Sequence, residues 1–467
     1  MISSQCYVMR FLYIQLVLLC VSLEVSAIVR PENFGAKGDI VTNDTQAFEK
    51  AIATGEDVLI EGTYKIDAIS LKPYQSLIGK PGCRLLYNHI LVAEGCHLKG
   101  IVLDGQWNTK GVAVLGSNVL IDGCSFLNTK GTLAYYGGET CSLRIGKYQD
   151  LEEKRPLYHD ITIKDSSFDG CEPYDKVSNV SVNKTVARSI LSYGCKNLQI
   201  IGCTFKNLEG YYDADFIQIR SFGLKNENFP FYDINEQWTG QSQPFHSFCY
   251  APARTKIVNC FFYQSDCKSS IKIMASNVVV ENNTFIVDNK NEDMTYSIVR
   301  SYVVSNVEIS NNKIHLLKGN LDSVFKIGHN EDATFSDNDI SARDDFNLLS
   351  IAEMIYSKRC RLIRNVIKVG SLSGLFASEF NRSISICDNS FVLSKSSKDN
   401  LRMFVPSSNH YSYPSKIIGK INFNNNQLII PTTNDVTIDL SNKYDYPIFG
   451  GKNKVKTNNK KSKIQIK

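Results

Sequence analysis

One short pattern constrains this chain more than any other feature, because it recurs at a spacing close to regular. In "NVVVENNTF" (277–285) an Asn at position zero is followed by an apolar residue at +3, Asn at +6 and a large apolar residue at +8. The same arrangement starts at Asn118 (Ile121, Cys124, Phe126), Asn197 (Ile200, Cys203, Phe205), Arg254 (Ile257, Cys260, Phe262) and Asn306 (Ile309, Asn312, Ile314). It continues from Asp332, Arg359, Ser383 and Lys420, with a looser copy through Ile163, Ser166 and Phe168. From Phe262 onward the +8 residues advance by 23, 29, 26, 27, 24 and then 37 positions. A unit of this length cannot bury its own apolar face, so it must stack on its neighbours as a solenoid.

Local periodicity selects which solenoid. Each unit alternates apolar and polar with period two and is rich in Val, Ile and Phe, which predicts strands and excludes helical repeats. The fold expected is all-β: a single-stranded right-handed parallel β-helix, each strand pairing with its equivalents one coil above and below, about 4.8 Å away. The hand follows from the near-universal right-handedness of parallel crossovers. Identical Asn residues at +6 (Asn283, Asn312, Asn338, Asn365, Asn389, Asn426) would bond along the stack and satisfy the backbone of a tight corner. Cys124, Cys203 and Cys260 continue that file as core thiols, since parallel stacking points their Cβ vectors the same way. An open coil end needs a cover. After Asn43 or Asp44 as cap, Ala47, Phe48, Ala51 and Ile52 fall on one helical face, predicting an N-terminal capping α-helix.

Composition matters mainly at the two ends. At 467 residues, 43% hydrophobic and 21% charged, the chain can bury a large core. The run "FLYIQLVLLCVSL", preceded by Arg10 and followed by "VSA", reads as an export signal over residues 1–27, with the product periplasmic or secreted and without a membrane span. The β-helix domain is placed at 28–450, followed by a basic, mobile tail at 451–467. That tail from Lys452 holds seven lysines and no acid; taking seven from the net +5 leaves the remainder near −2. No cysteine or histidine spacing suggests zinc, and the basic tail lacks the interleaved aromatics of a nucleic-acid binder. Of the 14 cysteines, Cys6 and Cys20 lie in the signal.

The candidate site comes from strands preceding the motif. "IQI", "IKI", "VR" and "FKI" place Gln218, Lys272, Arg300 and Lys326 in one outward file on consecutive coils. Like charges 4.8 Å apart repel by about 0.9 kcal/mol even in water, so a cationic stack expects something anionic on it. An acidic polysaccharide is the expected partner; the alternative is a solvated strand face. Carboxylates adjoin the file: Asp213 and Asp215 in "YYDADFIQIRS", with Tyr212 and Arg220 at its two ends, and Asp266 near Lys268 in "SDCKSSIKI". Paired carboxyls suit glycoside hydrolysis. Lys272 or Arg300 as base suits a lyase, with Ca²⁺ on Asp213, Asp215 and Asp266; otherwise no cofactor or metal is expected. Trp238 in "FPFYDINEQW" supplies a ring suited to a sugar face.

Three resemblances add to this reading. "FGAKGDIVTNDTQAFEKAI" resembles the opening motif of the pectate-lyase-like superfamily of polysaccharide lyases, hydrolases and phage tailspikes, with Ile40 and Asn43 where that family has Gly and Asp. The Asp-Asp and Ile-Lys stretches loosely resemble polygalacturonase-type hydrolases, without the Gly-His-Gly segment between them. "NLQIIGCTFKNLEG" and "SDCKSSIKIMASNVVVEN" are similar to the β-helix proteins of colanic acid biosynthesis, which implies a non-catalytic, polysaccharide-binding role in exopolysaccharide production.

Overall fold

The computed structural model describes residues 27–107, 111–130, 141–172, 187–210, 214–225, 248–265, 267–289, 297–379, 381, 383–393, 400–405, 419–431, 436–441, 445–458 and 464–466. Strands recur three to a coil. The first of each coil joins a 15-stranded sheet from Ile28–Val29 to Asp445–Phe449, and the second and third join a 26-stranded sheet. Among the described residues the pairings are parallel, apart from Gly223–Lys225 against Phe248–Tyr250. The expected parallel β-helix is what the chain forms.

The motif has a structural meaning at every position. Position zero is a left-handed residue: Asn118, Asn197, Asn277 and Asn306 have φ between 54° and 57°. So is +5, at Asn282, Asn311, Asp337, Arg364, Asp388 and Asn425. Asn and Asp tolerate this conformation better than other side chains, which explains their frequency at two positions that stacking alone leaves unexplained. Between these turns the +3 residue enters the core, and +6 carries the ladder. Asn338 is typical. Its Oδ1 accepts from the Asn312 backbone N–H at 3.0 Å and Nδ2 at 2.9 Å, while its own Nδ2 donates to Ile309 O at 3.0 Å and Asn365 Oδ1 at 2.9 Å.

The ladder opens where Cys260 N–H donates to Asn283 Oδ1 at 2.8 Å and passes Asn426 to reach Asn453, whose Oδ1 takes the Asn426 N–H at 2.8 Å. Asn453 lies in the segment expected to be a mobile tail. Lys454–Thr457 pairs with Gln427–Ile430, Val455 packs on the core, and Ile464–Ile466 pairs with Val436–Ile438. Lysine content misled the expectation: in a strand, outward lysines alternate with an inward Val without disturbing the pairing.

At +8 the core stacks rings. Phe126, Phe168, Phe205, Phe262 and Phe285 follow one another at centroid distances of 4.6, 5.0, 4.8 and 4.7 Å, within 9° of parallel. Those spacings are the rise per coil. All twelve cysteines beyond residue 27 are free thiols, ten of them buried. Burial pushes Cys124 up to about 11 and Cys171, Cys195 and Cys360 up to about 12.

Thr45–Ala53 is helical, and the four predicted residues Ala47, Phe48, Ala51 and Ile52 are its buried face, with Phe48 edge-on to Tyr64 at 5.2 Å. Of the two expected caps, Asp44 holds the N-cap position without bonding the helix through its side chain. Its carboxylate takes the N–H groups of Lys37 (2.7 Å) and Gly38 (3.1 Å), and Asn43 Oδ1 takes the Thr45 N–H at 3.0 Å. The preceding turn competes for the carboxylate and wins. Among the described residues no helix is long and apolar enough to cross a membrane.

Candidate functional site

The predicted file exists in register. Gln218 pairs with Lys272, Lys272 with Arg300 and Arg300 with Lys326; it extends back through Leu191 to Arg144 and forward to Glu353. The coil bends just before it. Phe216–Ile217, Ile298–Val299, Val324–Phe325 and Ile351–Ala352 are consecutive core residues, a break in the strand alternation that a corner produces. Each break leaves polar residues on both flanks: Asp215 and Gln218 in one coil, Ser297 and Arg300 in another, Ser323 and Lys326 in a third.

The file is not the open cationic groove that its sequence suggests. Gln218 is 4% exposed, Arg300 6% and Lys326 3%, and Lys268 beside them is buried. The anionic complement comes from the chain itself. Arg300 Nη2 donates to both oxygens of Asp215, at 2.7 and 3.0 Å, although 85 residues separate them; the Ser269 hydroxyl donates to the same carboxylate. Lys326 Nζ lies 3.0 Å from Glu353 Oε2, with both side chains buried. Period-two alternation says on which side of a strand a residue stands. It does not say whether that side is covered.

Part of the cover is visible. Leu151, from the 3₁₀ segment Tyr148–Glu153, packs outside the coil wall on Cys141, Leu191 and Tyr193, and Tyr148 meets Tyr193 edge-on at 5.9 Å. The Arg220 guanidinium sits 5.1 Å above the Tyr148 ring. Among the described residues, Arg144, Arg220 and Lys272 are half-exposed cations of this face, each on a different coil.

These contacts change what the candidates can do. Asp215 is fully buried and bound to Arg300, so it is not placed as the protonated acid of a hydrolase pair, and Arg300 is occupied as an ion-pair partner rather than presented as a base. Asp213, Asp266, Tyr212 and Trp238 lie outside the described residues. Among the described residues, no group of three His, Cys, Asp or Glu side chains is arranged to hold a metal. Sequence reasoning missed Glu353, which a further step of the same register from "FKI" to "AEM" finds, and Tyr302, two residues after Arg300. Burial pushes the Tyr302 hydroxyl up to about 12; the Arg300 charge pulls it down while Glu353 and Asp215 raise it, so it senses both pairs.

Comparison with known proteins supports the architecture. No protein-family model matches the sequence, and no curated protein matches it, so the similarity to colanic acid biosynthesis proteins gains no support. Solved structures do match. The tailspike of Escherichia coli bacteriophage HK620, in complex with a pentasaccharide, aligns with a TM-score of 0.56 and 10% identity over 94% of this chain and 78% of that one. A second structure of this tailspike aligns at 0.52 and 12% over 91% and 80%. An exopolygalacturonase from Thermotoga maritima aligns at 0.48 and 12% over 78% and 91%. The tailspike likeness carries the fold: this chain is a right-handed parallel β-helix.

Proposed function

We propose that this β-helix binds an acidic polysaccharide across the face that carries Arg144, Arg220 and Lys272. The observation behind this reading is that half-exposed basic side chains gather on one face from three coils, with buried ion pairs at the end of the file. Arg300–Asp215 and Lys326–Glu353 act as positioning pairs there. They fix the strand face on which the half-exposed cations stand, and a polymer with a carboxylate on its rings meets those cations at intervals set by the coil rise. The tailspike that shares this fold holds a pentasaccharide, which supports a carbohydrate as the class of ligand.

Cleavage is the second reading, favoured by the place of Lys272. It is half-exposed in register between Gln218 and Arg300, where a lyase would want a base. A Ca²⁺ ion would enter only with that chemistry. The same proposal includes export through removal of residues 1–27 and closure of the first coil by the helix Thr45–Ala53.

Titration calorimetry with acidic and neutral polysaccharides at two salt concentrations tests the binding, with absorbance at 235 nm and reducing-end formation followed alongside. Salt-sensitive binding of an acidic polymer, weakened in the variant Arg144→Ala/Lys272→Ala, supports the reading. Absence of binding to every acidic polymer, or binding untouched by that variant, overturns it. Release of unsaturated product would add lyase activity to it.

A further inference from the structure

Outside the basic file, one surface feature is built with unusual care. Trp107 is 38% exposed and is one of two tryptophans in the chain. Gln106 and Trp107 have φ of 50° and 56°, and among the described residues they are the one pair of consecutive non-glycine residues in the left-handed region. For a Trp with a bulky side chain this backbone is strained, and it persists because the surroundings fix it. Asp104 does the fixing. It is 4% exposed, and its carboxylate takes the Gln106 N–H at 2.9 Å, the Asn128 amide at 3.0 Å and the Arg84 guanidinium, while Trp107 N–H donates to Asn128 O at 2.8 Å.

The next coils make room for the indole. Asn128, Gly170 and Asn207 follow one another in register, all with positive φ (51°, 83° and 53°). A Cβ on Gly170 would fall 2.9 Å from Trp107 Cη2, so the ring spans the Asn128 coil and rests its edge over a residue without a side chain. Beyond it stands exposed Asn207, whose Nδ2 is held by Asp169 Oδ1 at 2.6 Å. A braced aromatic ring with amide groups at its margins fits the apolar C–H face of a sugar ring, with its hydroxyls on the amides.

We propose that Trp107, flanked by Gln106, Asn128 and Asn207, is a stacking platform for one pyranose ring of a polysaccharide. The inference rests on the carbohydrate reading above but uses a different surface. Ala113, six residues after Trp107, is the register partner of Arg144, so the platform and the first cation of the file belong to neighbouring coils. A polymer crossing the file would present its next rings here, and stacking requires no charge on them.

The two indole N–H signals of ¹⁵N-tryptophan-labelled full-length protein, assigned with Trp107→Phe, are followed during titration with oligosaccharides of polygalacturonate, of alginate and of a neutral glucan. The Trp107 signal is expected to move with at least one of them, and Trp107→Ala to weaken its Kd roughly tenfold, with Trp107→Phe retaining part of the affinity. Asn207→Ala, an exposed change, is the second variant should Trp107→Ala fold poorly, and is expected to weaken binding several-fold. A Trp107 signal unmoved by all three sugars, or unchanged Kd in both variants, overturns the platform. A neutral glucan that moves Trp107 at any salt concentration retains it even where the acidic-polymer reading fails; loss of salt-sensitive binding in Arg144→Ala/Lys272→Ala bears on that reading alone.

Discussion

Breaking the Asp215–Arg300 pair separates a covered file from an open groove. Asp215 is fully buried and Arg300 nearly so, and the pair holds two charge-assisted hydrogen bonds of 2.7 and 3.0 Å plus the Ser269 hydroxyl. Removing one partner strands the other charge away from water, which costs about 3–5 kcal/mol when a buried pair is broken. An exposed pair would lose only about 0.2–1 kcal/mol. Asp215→Ala and Arg300→Met are therefore each expected to destabilise by more than about 3 kcal/mol. The double variant, which leaves neither charge behind, should cost less than the sum by about 2 kcal/mol or more. Urea unfolding followed by circular dichroism, with slopes compared among the variants, measures this. Single variants within about 1 kcal/mol of the parent would refute the burial argument and restore the open cationic groove.

Four further outcomes follow from the coil wall. Asn338→Ala removes four ladder hydrogen bonds and should cost about 3 kcal/mol in the same urea experiment, at about 1 kcal/mol net for each bond less some recovery by relaxation. Truncation after Gly451 removes Asn453 and Val455 and should lower the unfolding midpoint, whereas loss of a mobile tail would leave it unchanged. Of the twelve thiols beyond residue 27, Ellman's reagent should find at most the two partly exposed ones, Cys249 and Cys387, in native protein and all twelve in urea. For Cys124, Cys171, Cys195 and Cys360 the folded values lie above the ordinary thiol 9.0, so the neutral form is favoured by folding. Their contribution is complete below pH 9 and is lost as pH rises through 11 to 12; Tyr302 acts likewise between 10 and about 12. The urea midpoint should fall across that window and hold steady just below it.

The legible part of the molecule is what translation along one axis makes repetitive. Asn312, Asn338 and Asn365 face the same neighbours one coil apart, so equal spacing in sequence became contact in space. The file from Gln218 to Lys326 fell into register for the same reason. What escaped depended on relations the repeat does not encode. Asp215 reaches Arg300 across two coils, and Leu151 covers Leu191 from outside the wall, so no period links either pair. Asn453 is hidden by the lysines around it, whose density masks the alternation about Val455. The left-handed turns at zero and +5 were written plainly in the Asn and Asp residues there, but a pattern of residue types shows conformation only once the backbone reason is known.

Ladder and ion pairs are linked by a requirement on rigidity. A guanidinium meets both oxygens of a carboxylate two coils away only if the intervening coils hold their rise and register within a few tenths of an ångström, since a longer contact would forfeit the bonds that offset desolvation. Parallel strands alone permit slippage along a flat sheet. Slippage is blocked here on two other lines: Phe205, Phe262 and Phe285 stack face to face over the coils from Asp215 to Arg300, and the Asn ladder enters at Cys260 within that interval. The file thus lies where the ring stack and the ladder overlap. That overlap allows buried charges to be tolerated on a strand face, and it gives the half-exposed cations beside them a fixed spacing.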